Sequence, residues 1–321
     1  MYSLVDTHAH LDELENLQQA LDDARRNGVI AIVAVGSDYH SNIKILEISH
    51  EYSSFVFPAL GLHPWQLGEL SPSQINDELE FIEQNIASAI AIGEIGLDYH
   101  KRVVKRASKE FQKEVLARLL ELAKKYHKPV SLHTRYAWRD ALQLVQDAGV
   151  AKAVFHWFTG FSSVLRDIIN AGYFISVTPA AEYHEEHRRA AKETPMDKLL
   201  LETDCPVYYG RGTKYRSTTA DVTRSLGAVA QLKEVDQVTI AEQTTRNAIE
   251  LFSLPIAIAN STVPVNPNSH CKPLTVIAVS QSPEPFASVI LTLNEVKGKN
   301  LTAQDRLREG EAKQSQSREE E

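Results

Sequence analysis

Eight short apolar runs, several of them rich in β-branched residues, alternate with amphipathic segments along residues 1–254 of this 321-residue chain. Such nearly continuous hydrophobicity is typical of strands that are buried on both faces, as in a parallel sheet. Eight strand–helix units in about 250 residues predict an α/β fold of the (β/α)8, TIM-type barrel class. The number of strand–helix units alone leaves one alternative fold, an open doubly wound sheet. The runs are Leu4–Thr7, Val29–Val35, Val56–Leu60, Ala89–Ile92, Val130–Leu132, Ala153–Phe155, Tyr173–Val177 and Leu199–Leu201.

The composition changes after Leu254. Residues 255–321 contain one phenylalanine, no tyrosine or tryptophan, and six of the chain's 13 prolines. So few aromatic side chains cannot build a separate core, and we expect a poorly ordered C-terminal extension. The alternative is a small docking element around the apolar residues 287–293. The chain therefore divides into a barrel domain, residues 1–254, and a C-terminal tail, residues 255–321.

The overall composition limits the class of protein. With 43% apolar and 24% charged residues, the chain is not disordered, collagen-like or a coiled coil. Its apolar runs are too short to span a membrane, and its N-terminus lacks the features of a signal peptide. Two cysteines, Cys205 and Cys271, cannot form a disulfide framework, so we expect a cytoplasmic protein. Because the formal net charge is −8, a nucleic-acid partner must meet a local basic patch.

Residues of the types that bind metal ions follow six of the eight runs. In a barrel the carboxyl ends of all strands converge on one face, where active sites lie. One such histidine alone is usually a hydrogen-bonded structural residue, and Asp204 alone would suit a helix N-cap. Six placements of the same kind favour a metal centre instead. The candidates are His8 and His10 after the first run, His63 after the third, Glu94 after the fourth, His133 after the fifth, His156 after the sixth, and Glu202 and Asp204 after the eighth.

The number of these residues predicts more than one metal ion. His8 and His10 lie two residues apart in an extended segment, so they face the same side and can share an ion. Four of the five histidines, with Glu94 and Asp204, already exceed the three protein ligands that a catalytic zinc typically takes. Two ions joined by a carboxylate fit better, and they would activate a water molecule as the nucleophile. The sequence accordingly contains neither a Gly-x-Ser-x-Gly elbow nor a glycine-rich phosphate-binding loop.

Seven motifs carry a resemblance to a known family. On these motifs the chain resembles the TatD family of metal-dependent deoxyribonucleases, within the amidohydrolase-like barrel superfamily, over residues 4–252. It departs from the family pattern at Cys205, where serine is usual, and in residues 211–219, where an Asn-Glu-Pro sequence is missing. The motifs are Asp-Thr-His-Ala-His-Leu-Asp at 6–12, Gly-Leu-His-Pro at 61–64, Gly-Glu-Ile-Gly-Leu-Asp-Tyr at 93–99, Pro-Val-Ser-Leu-His-Thr-Arg at 129–135, His-Trp-Phe-Thr-Gly at 156–160, Leu-Glu-Thr-Asp-Cys-Pro at 201–206 and Thr-Thr-Arg-Asn-Ala-Ile-Glu-Leu-Phe at 244–252.

The resemblance implies a role for each matching residue. Ligands of a first ion would be His8, His10, Glu94 and Asp204, and those of a second ion Glu94, His133 and His156. Glu94 would then bridge the two ions, and Asp204 would also orient or deprotonate the attacking water. His63 and Glu202 would bind a further ion or the substrate. The implied cofactors are two divalent ions, Mg²⁺, Mn²⁺ or Zn²⁺.

The resemblance also implies an activity, the hydrolysis of phosphodiester bonds in DNA, and sometimes RNA, commonly from the 3′ end. The alternative is a hydrolase of a carbonyl substrate such as an aminoacyl-tRNA ester, a lactone or a cyclic amide, because the same water can attack a carbonyl carbon. Many carbonyl hydrolases of this superfamily bridge their ions with a modified lysine where this chain has Glu94, which favours the nuclease. A non-catalytic scaffold ranks last, since every ligand-type residue is present. We find no sign of a membrane partner or of an obligate protein partner.

Five residues are candidates for substrate contacts. Arg135 follows His133 by two residues and can direct its guanidinium into the same pocket. Arg211 and Lys214 lie in the loop after the eighth run, where barrels often bind phosphate, although a charged segment is usually a solvated face. Trp157, next to His156, either stacks on a terminal base or packs in the barrel in the ordinary way. Trp65 has the same two interpretations.

Overall fold

A computed structural model describes residues 2–258 and 276–278 of the chain, with side chains over residues 2–256. Most of the tail, residues 259–275 and 279–321, lies outside the described residues, and with it the prediction of a poorly ordered extension. The described residues beyond Leu254 include two short antiparallel strands, Ile256–Ile258 and Val276–Ala278. None of the helices in the described part of the chain is long and apolar enough to cross a membrane.

Eight parallel strands form one sheet in which each strand pairs with the next along the chain. The sheet closes between its first and last strands, because Asp204 N donates to His8 O at 2.9 Å and His10 N donates to Cys205 O at 2.8 Å. This closure confirms the (β/α)8 barrel and excludes the open sheet. The strands are β1 Leu4–Ala9, β2 Val29–Val35, β3 Val56–Leu60, β4 Ala91–Gly96, β5 Val130–His133, β6 Ala153–Phe155, β7 Phe174–Val177 and β8 Leu199–Leu201.

Helices connect the strands and cover the barrel. Helix α3 begins at Pro72, where the Ser71 side chain accepts a hydrogen bond from Gln74 N in a capping box. Helix α6 ends at Ala148 and is capped by Gly149, whose left-handed conformation, φ 69°, suits a residue without Cβ. The helices are α1 Leu17–Arg26, α2 Tyr39–Glu51, α3 Pro72–Gln84, α4 Lys101–Val104, α5 Lys109–Lys125, α6 Trp138–Ala148, α7 Ser162–Asn170, α8 Glu185–Glu193, α9 Val222–Lys233 and α10 Gln237–Phe252.

A buried cluster ties the last helix to the barrel. It joins side chains of seven strands to Ala248, Leu251 and Phe252 of α10. Helix α10 therefore belongs to the barrel domain, and the loops after the strands are anchored on a packed scaffold. A short hairpin, β9 Tyr208–Tyr209 with β10 Tyr215–Arg216, follows β8.

Candidate metal centre

The barrel brings histidine and carboxylate side chains from five strand ends together around Glu94. On one side, His8 Nε2 and His10 Nε2 lie 3.4 and 3.3 Å from Glu94 Oε2. The same two nitrogens lie 3.6 and 3.4 Å from Asp204 Oδ1. The ligand atoms of His8, His10 and Asp204 lie within 4.8 Å of one another. We call His8, His10 and Asp204 the first ligand group.

The other oxygen of Glu94 faces a second set of imidazoles. Glu94 Oε1 lies 2.8 Å from His156 Nε2, 3.0 Å from His133 Nδ1 and 3.4 Å from His63 Nε2. We call His63, His133 and His156 the second ligand group. The rings of His8 and His156 stack at 4.1 Å, so the two groups are in contact. Each oxygen of Glu94 therefore faces a different ligand group, as the oxygens of a bridging carboxylate do.

The way these imidazoles are held fits metal ligation. His8 Nδ1 pairs with Ser131 Oγ at 3.1 Å, while its buried Nε2 makes no hydrogen bond with the residues described. His133 Nε2 pairs with Asp98 Oδ2 at 3.1 Å and leaves Nδ1 facing Glu94. A metal-ligating histidine typically uses one ring nitrogen for the ion and the other for a polar partner of this kind. The donor set, imidazoles with two carboxylates, suits a divalent transition metal.

The pocket also favours bound positive charge. Burial alone would raise the pKa of Glu94, but His63, His156 and His8 hold the pKa of this carboxyl well below its usual range. Burial would likewise raise the pKa of Asp204, and the hydrogen bond from His10 lowers it instead. Burial alone would lower the pKa of His10, whereas Asp204 and Glu94 raise it well above its ordinary value. Both carboxylates are therefore ionised at neutral pH and attract cations.

Close backbone packing explains why glycine occupies positions 61 and 96, near Glu94. A Cβ at Gly61 would lie 2.4 Å from the carbonyl oxygen of Glu94. A Cβ at Gly96 would lie 1.9 Å from the carbonyl oxygen of His133, and Gly96 has φ +148°. Only glycine allows these strands to approach so closely, and that approach places Glu94 between the two ligand groups.

Two site residues have a left-handed backbone that is uncommon outside glycine. Asp204 has φ 49° and Trp157, next to His156, has φ 41°. Such conformations are unfavourable for most residues and cluster where function fixes the chain. Both residues follow the carboxyl ends of strands, β8 and β6.

Sequence reasoning missed Asp98, which is fully buried beside the second ligand group. Its Oδ2 accepts hydrogen bonds from Trp65 Nε1 at 2.6 Å and pairs with His133 Nε2, and its Oδ1 accepts one from His100 N at 2.7 Å. Burial would raise the pKa of Asp98, but the hydrogen bonds from His133 and Trp65 hold it at about 2. The sequence feature that could have identified Asp98 is its position at a strand end, four residues after Glu94. Ser131, the partner of His8, was also missed, and a serine inside a strand gave no signal.

Glu202 lies behind His156, away from the surface. The residue is fully buried, and its Oε1 accepts a hydrogen bond from Trp157 N at 2.8 Å. Its Oε2 accepts one from Ser176 Oγ at 2.6 Å, and Oε1 lies 3.7 Å from His156 Nδ1. Glu202 is thus held beside His156 Nδ1, which makes no hydrogen bond with the residues described.

The candidate substrate residues lie at different distances from this centre. Arg135 lies beside the centre, with its Nε 3.6 Å from Asp98 Oδ1 and 37% of its side chain exposed. Trp157 is half-buried and packs against Tyr209 with a ring separation of 5.5 Å. Arg211 and Lys214 are exposed between β9 and β10, where Arg211 donates to the carbonyl of Tyr183. Of these candidates, Arg135 and Trp65 contact Asp98 at the centre.

Comparisons with known proteins agree with the barrel fold. The family model of TatD-related DNases matches residues 5–253. Deoxyribonuclease TATDN3 of Homo sapiens is 34% identical over 259 residues, which cover 78% of this chain and 94% of that protein. The metal-dependent hydrolase YabD of Bacillus subtilis, described as uncharacterized, is 30% identical over 261 residues, covering 78% of this chain and 99% of YabD. Among solved structures, the TatD homologue YJJV of Escherichia coli superimposes with a TM-score of 0.71 at 26% identity, covering 78% of this chain and 98% of that one.

Proposed function

The chain belongs to the family of TatD-related DNases and is a metal-dependent hydrolase, and we propose that it removes nucleotides from the 3′ end of DNA through two metal ions. The observation that carries this proposal is the pair of Glu94 oxygens facing separate ligand groups. His8, His10, Asp204 and Glu94 would hold one ion; His133, His156 and Glu94, with His63 beside them, would hold the other. Two divalent ions bound there would supply Lewis acidity, which would activate a water molecule as the nucleophile and offset the charge on the phosphoryl group.

Asp204 is the proton acceptor in this proposal. Its carboxylate is ionised at neutral pH and lies 3.4 Å from His10 Nε2 in the first ligand group. It takes the proton that the attacking water loses as the new oxygen–phosphorus bond forms. The bond from phosphorus to the 3′ oxygen breaks, and that oxygen gains a proton from solvent.

Arg135 positions the phosphate in the same proposal. Its guanidinium lies at the rim of the centre, and no residue in the described part of the chain forms a hydrogen bond with it. A guanidinium offers a planar set of donors that matches phosphate oxygens. The chain carries a net charge of −8, so this local cation matters for approach of a polyanion.

The donor set favours particular ions. Imidazole ligands suit zinc and manganese, whereas magnesium prefers oxygen ligands. We therefore expect manganese or zinc to support faster single-turnover cleavage than magnesium at equal low concentration. Faster cleavage with magnesium under those conditions would contradict this assignment.

We place the catalytic unit in residues 1–254. The family match ends at residue 253, and the buried cluster of the barrel includes Leu254. The tail, residues 255–321, contributes no residue to this proposal.

The test uses single-stranded DNA labelled at the 5′ end, with a second oligonucleotide labelled at the 3′ end. Chelator-treated protein receives magnesium, manganese or zinc, and Glu94→Gln is compared with Glu78→Gln, which removes a buried carboxylate elsewhere. We expect a metal-restored ladder from the 5′-labelled strand and early release of the 3′ label. Glu94→Gln should abolish both, and Glu78→Gln should not. An RNA strand of the same sequence tests the range of substrate.

Absence of cleavage with every ion, from protein that still binds two ions, would contradict the nuclease. Aminoacyl-tRNA and lactones would then be assayed for the carbonyl alternative. Release of the 5′ label first would contradict the proposed polarity alone.

A further inference from the structure

Exposed aromatic side chains are concentrated on the face of the barrel that carries the metal centre. Five large apolar side chains are exposed in residues 2–256, and three of them follow β3, β5 and β6. Trp65 is 51% exposed, Tyr136 is 60% exposed and Phe161 is 69% exposed. A soluble domain normally keeps such rings scattered or covered, so a group of them indicates a binding surface.

Two further side chains connect these rings into one row. The Arg135 guanidinium lies 5.9 Å from the centre of the Trp65 ring and 5.8 Å from that of Tyr136. Trp138 lies 6.0 Å from Tyr136 and 5.7 Å from Phe161, ring centre to ring centre. We call Trp65, Arg135, Tyr136, Trp138 and Phe161 the aromatic track.

The inner end of the track touches the metal centre. The Trp65 ring lies 5.1 Å from that of His63 and 6.2 Å from that of His133. Its Nε1 donates to Asp98, which also holds His133. The outer end is Phe161, before helix α7. The track therefore begins at the proposed reaction site and leads away from it.

We propose that the aromatic track binds unpaired bases of a single nucleic-acid strand whose terminal phosphodiester lies in the metal centre. Bases of every kind stack on exposed rings and on guanidinium planes, independently of sequence. Bases in a duplex are already stacked and paired, so they do not present their faces. An interleaved arginine, whose side chain is 37% exposed, suits a polyanion better than an apolar protein surface. This inference rests on the proposed nuclease function but makes a separate prediction about binding.

Binding is measured without catalysis. A short fluorescein-labelled oligodeoxythymidine is titrated with the full chain in chelator, and fluorescence anisotropy gives the dissociation constant. We expect Tyr136→Ala and Phe161→Ala each to weaken binding by at least about 5-fold, the lower end of base-stacking contributions. Tyr126→Ala, which removes a ring at the end of α5 before β5 begins, is the matched control and should bind as the wild type does.

A second ligand separates base stacking from phosphate contacts. In an oligomer of equal length, tetrahydrofuran spacers replace the nucleosides and leave the phosphates in place. We expect this oligomer to bind more weakly to the wild type and to respond to neither track substitution. Stacking should also leave the slope of log affinity against log salt unchanged in both variants, because no phosphate contact is removed.

The outcomes distinguish this proposal from the proposed function. Unchanged oligodeoxythymidine affinity in both track variants overturns the track, even where the wild type cleaves DNA. Equal weakening for the base-free oligomer overturns stacking. Base-dependent binding through the track by a protein that cleaves no phosphodiester supports the track and contradicts the nuclease. Loss of hydrolysis of bis(p-nitrophenyl) phosphate in the track variants would show that they disturb the centre itself, which also overturns the proposal.

Discussion

Replacing Asp98 with asparagine tests how the second ligand group is held. The Asp98 carboxylate is buried, and its Oδ2 forms hydrogen bonds with His133 Nε2 at 3.1 Å and with Trp65 Nε1 at 2.6 Å. Asparagine keeps the size of the side chain but loses the charge. A hydrogen bond to a charged group contributes about 1.5–3 kcal/mol, and a neutral one about 1 kcal/mol. Loss of charge from two such bonds therefore removes about 1–4 kcal/mol, or about 5- to 1,000-fold in affinity. Outer partners of metal-ligating histidines typically contribute about 10- to 100-fold, which lies within that range.

The assay is manganese binding by isothermal titration, combined with cleavage of a single-stranded oligonucleotide. We expect the affinity for one of the two ions to fall about 10- to 100-fold while the affinity for the other changes little. Asp140→Asn is the control, because Asp140 accepts a hydrogen bond from Tyr99 and contacts none of the ligands. Unchanged affinity for both ions in folded Asp98→Asn protein would show that the charge of Asp98 does not hold the second ligand group.

Two other substitutions test the packing and electrostatics of the barrel. Burial raises the pKa of Glu78 from 4.5 to about 7, so the wild type loses stability as pH rises through this interval. Glu78→Gln should therefore gain up to about 3 kcal/mol in free energy of unfolding, relative to the wild type, between pH 5 and pH 8 in urea titrations. Parallel pH profiles would contradict this. Gly96→Ala would place a Cβ 1.9 Å from the carbonyl oxygen of His133, so we expect weaker metal binding and a lower melting temperature. Gly212→Ala is the control, because a Cβ added at Gly212 would meet no atom within 4 Å. Equal effects from both variants would argue against close packing as the cause.

Most of the barrel was predictable because each strand is a compact apolar run. The predicted and observed bounds agree for Val29–Val35 and Leu199–Leu201. The fourth strand differs, since the run predicted at Ala89–Ile92 is observed at Ala91–Gly96. Two glycines and a glutamate look like a loop in a sequence, whereas here they form a strand that approaches its neighbours closely. Closure of the sheet depends on contacts between β1 and the segment after β8, which no local pattern encodes.

The candidate ligands were predictable for a related reason. A histidine or carboxylate directly after an apolar run is visible in the sequence, and a barrel necessarily gathers such positions. Contacts between distant segments were not visible. Asp98 meets His133 across 35 residues, and Ser131 meets His8 across 123. Exposure was equally hidden, so Trp157 was singled out for base stacking while Tyr136 and Phe161 were not.

Glu94 joins two metal ions in the proposed mechanism, and electron paramagnetic resonance of the manganese-loaded protein reports directly on such a pair. We expect two manganese ions per chain with a spin-coupled signal in the wild type. Glu94→Gln should lose the coupling together with DNA cleavage, whereas Glu78→Gln should keep both. One ion per chain, or two ions that show no coupling in the wild type, would rule out a bridging role for Glu94.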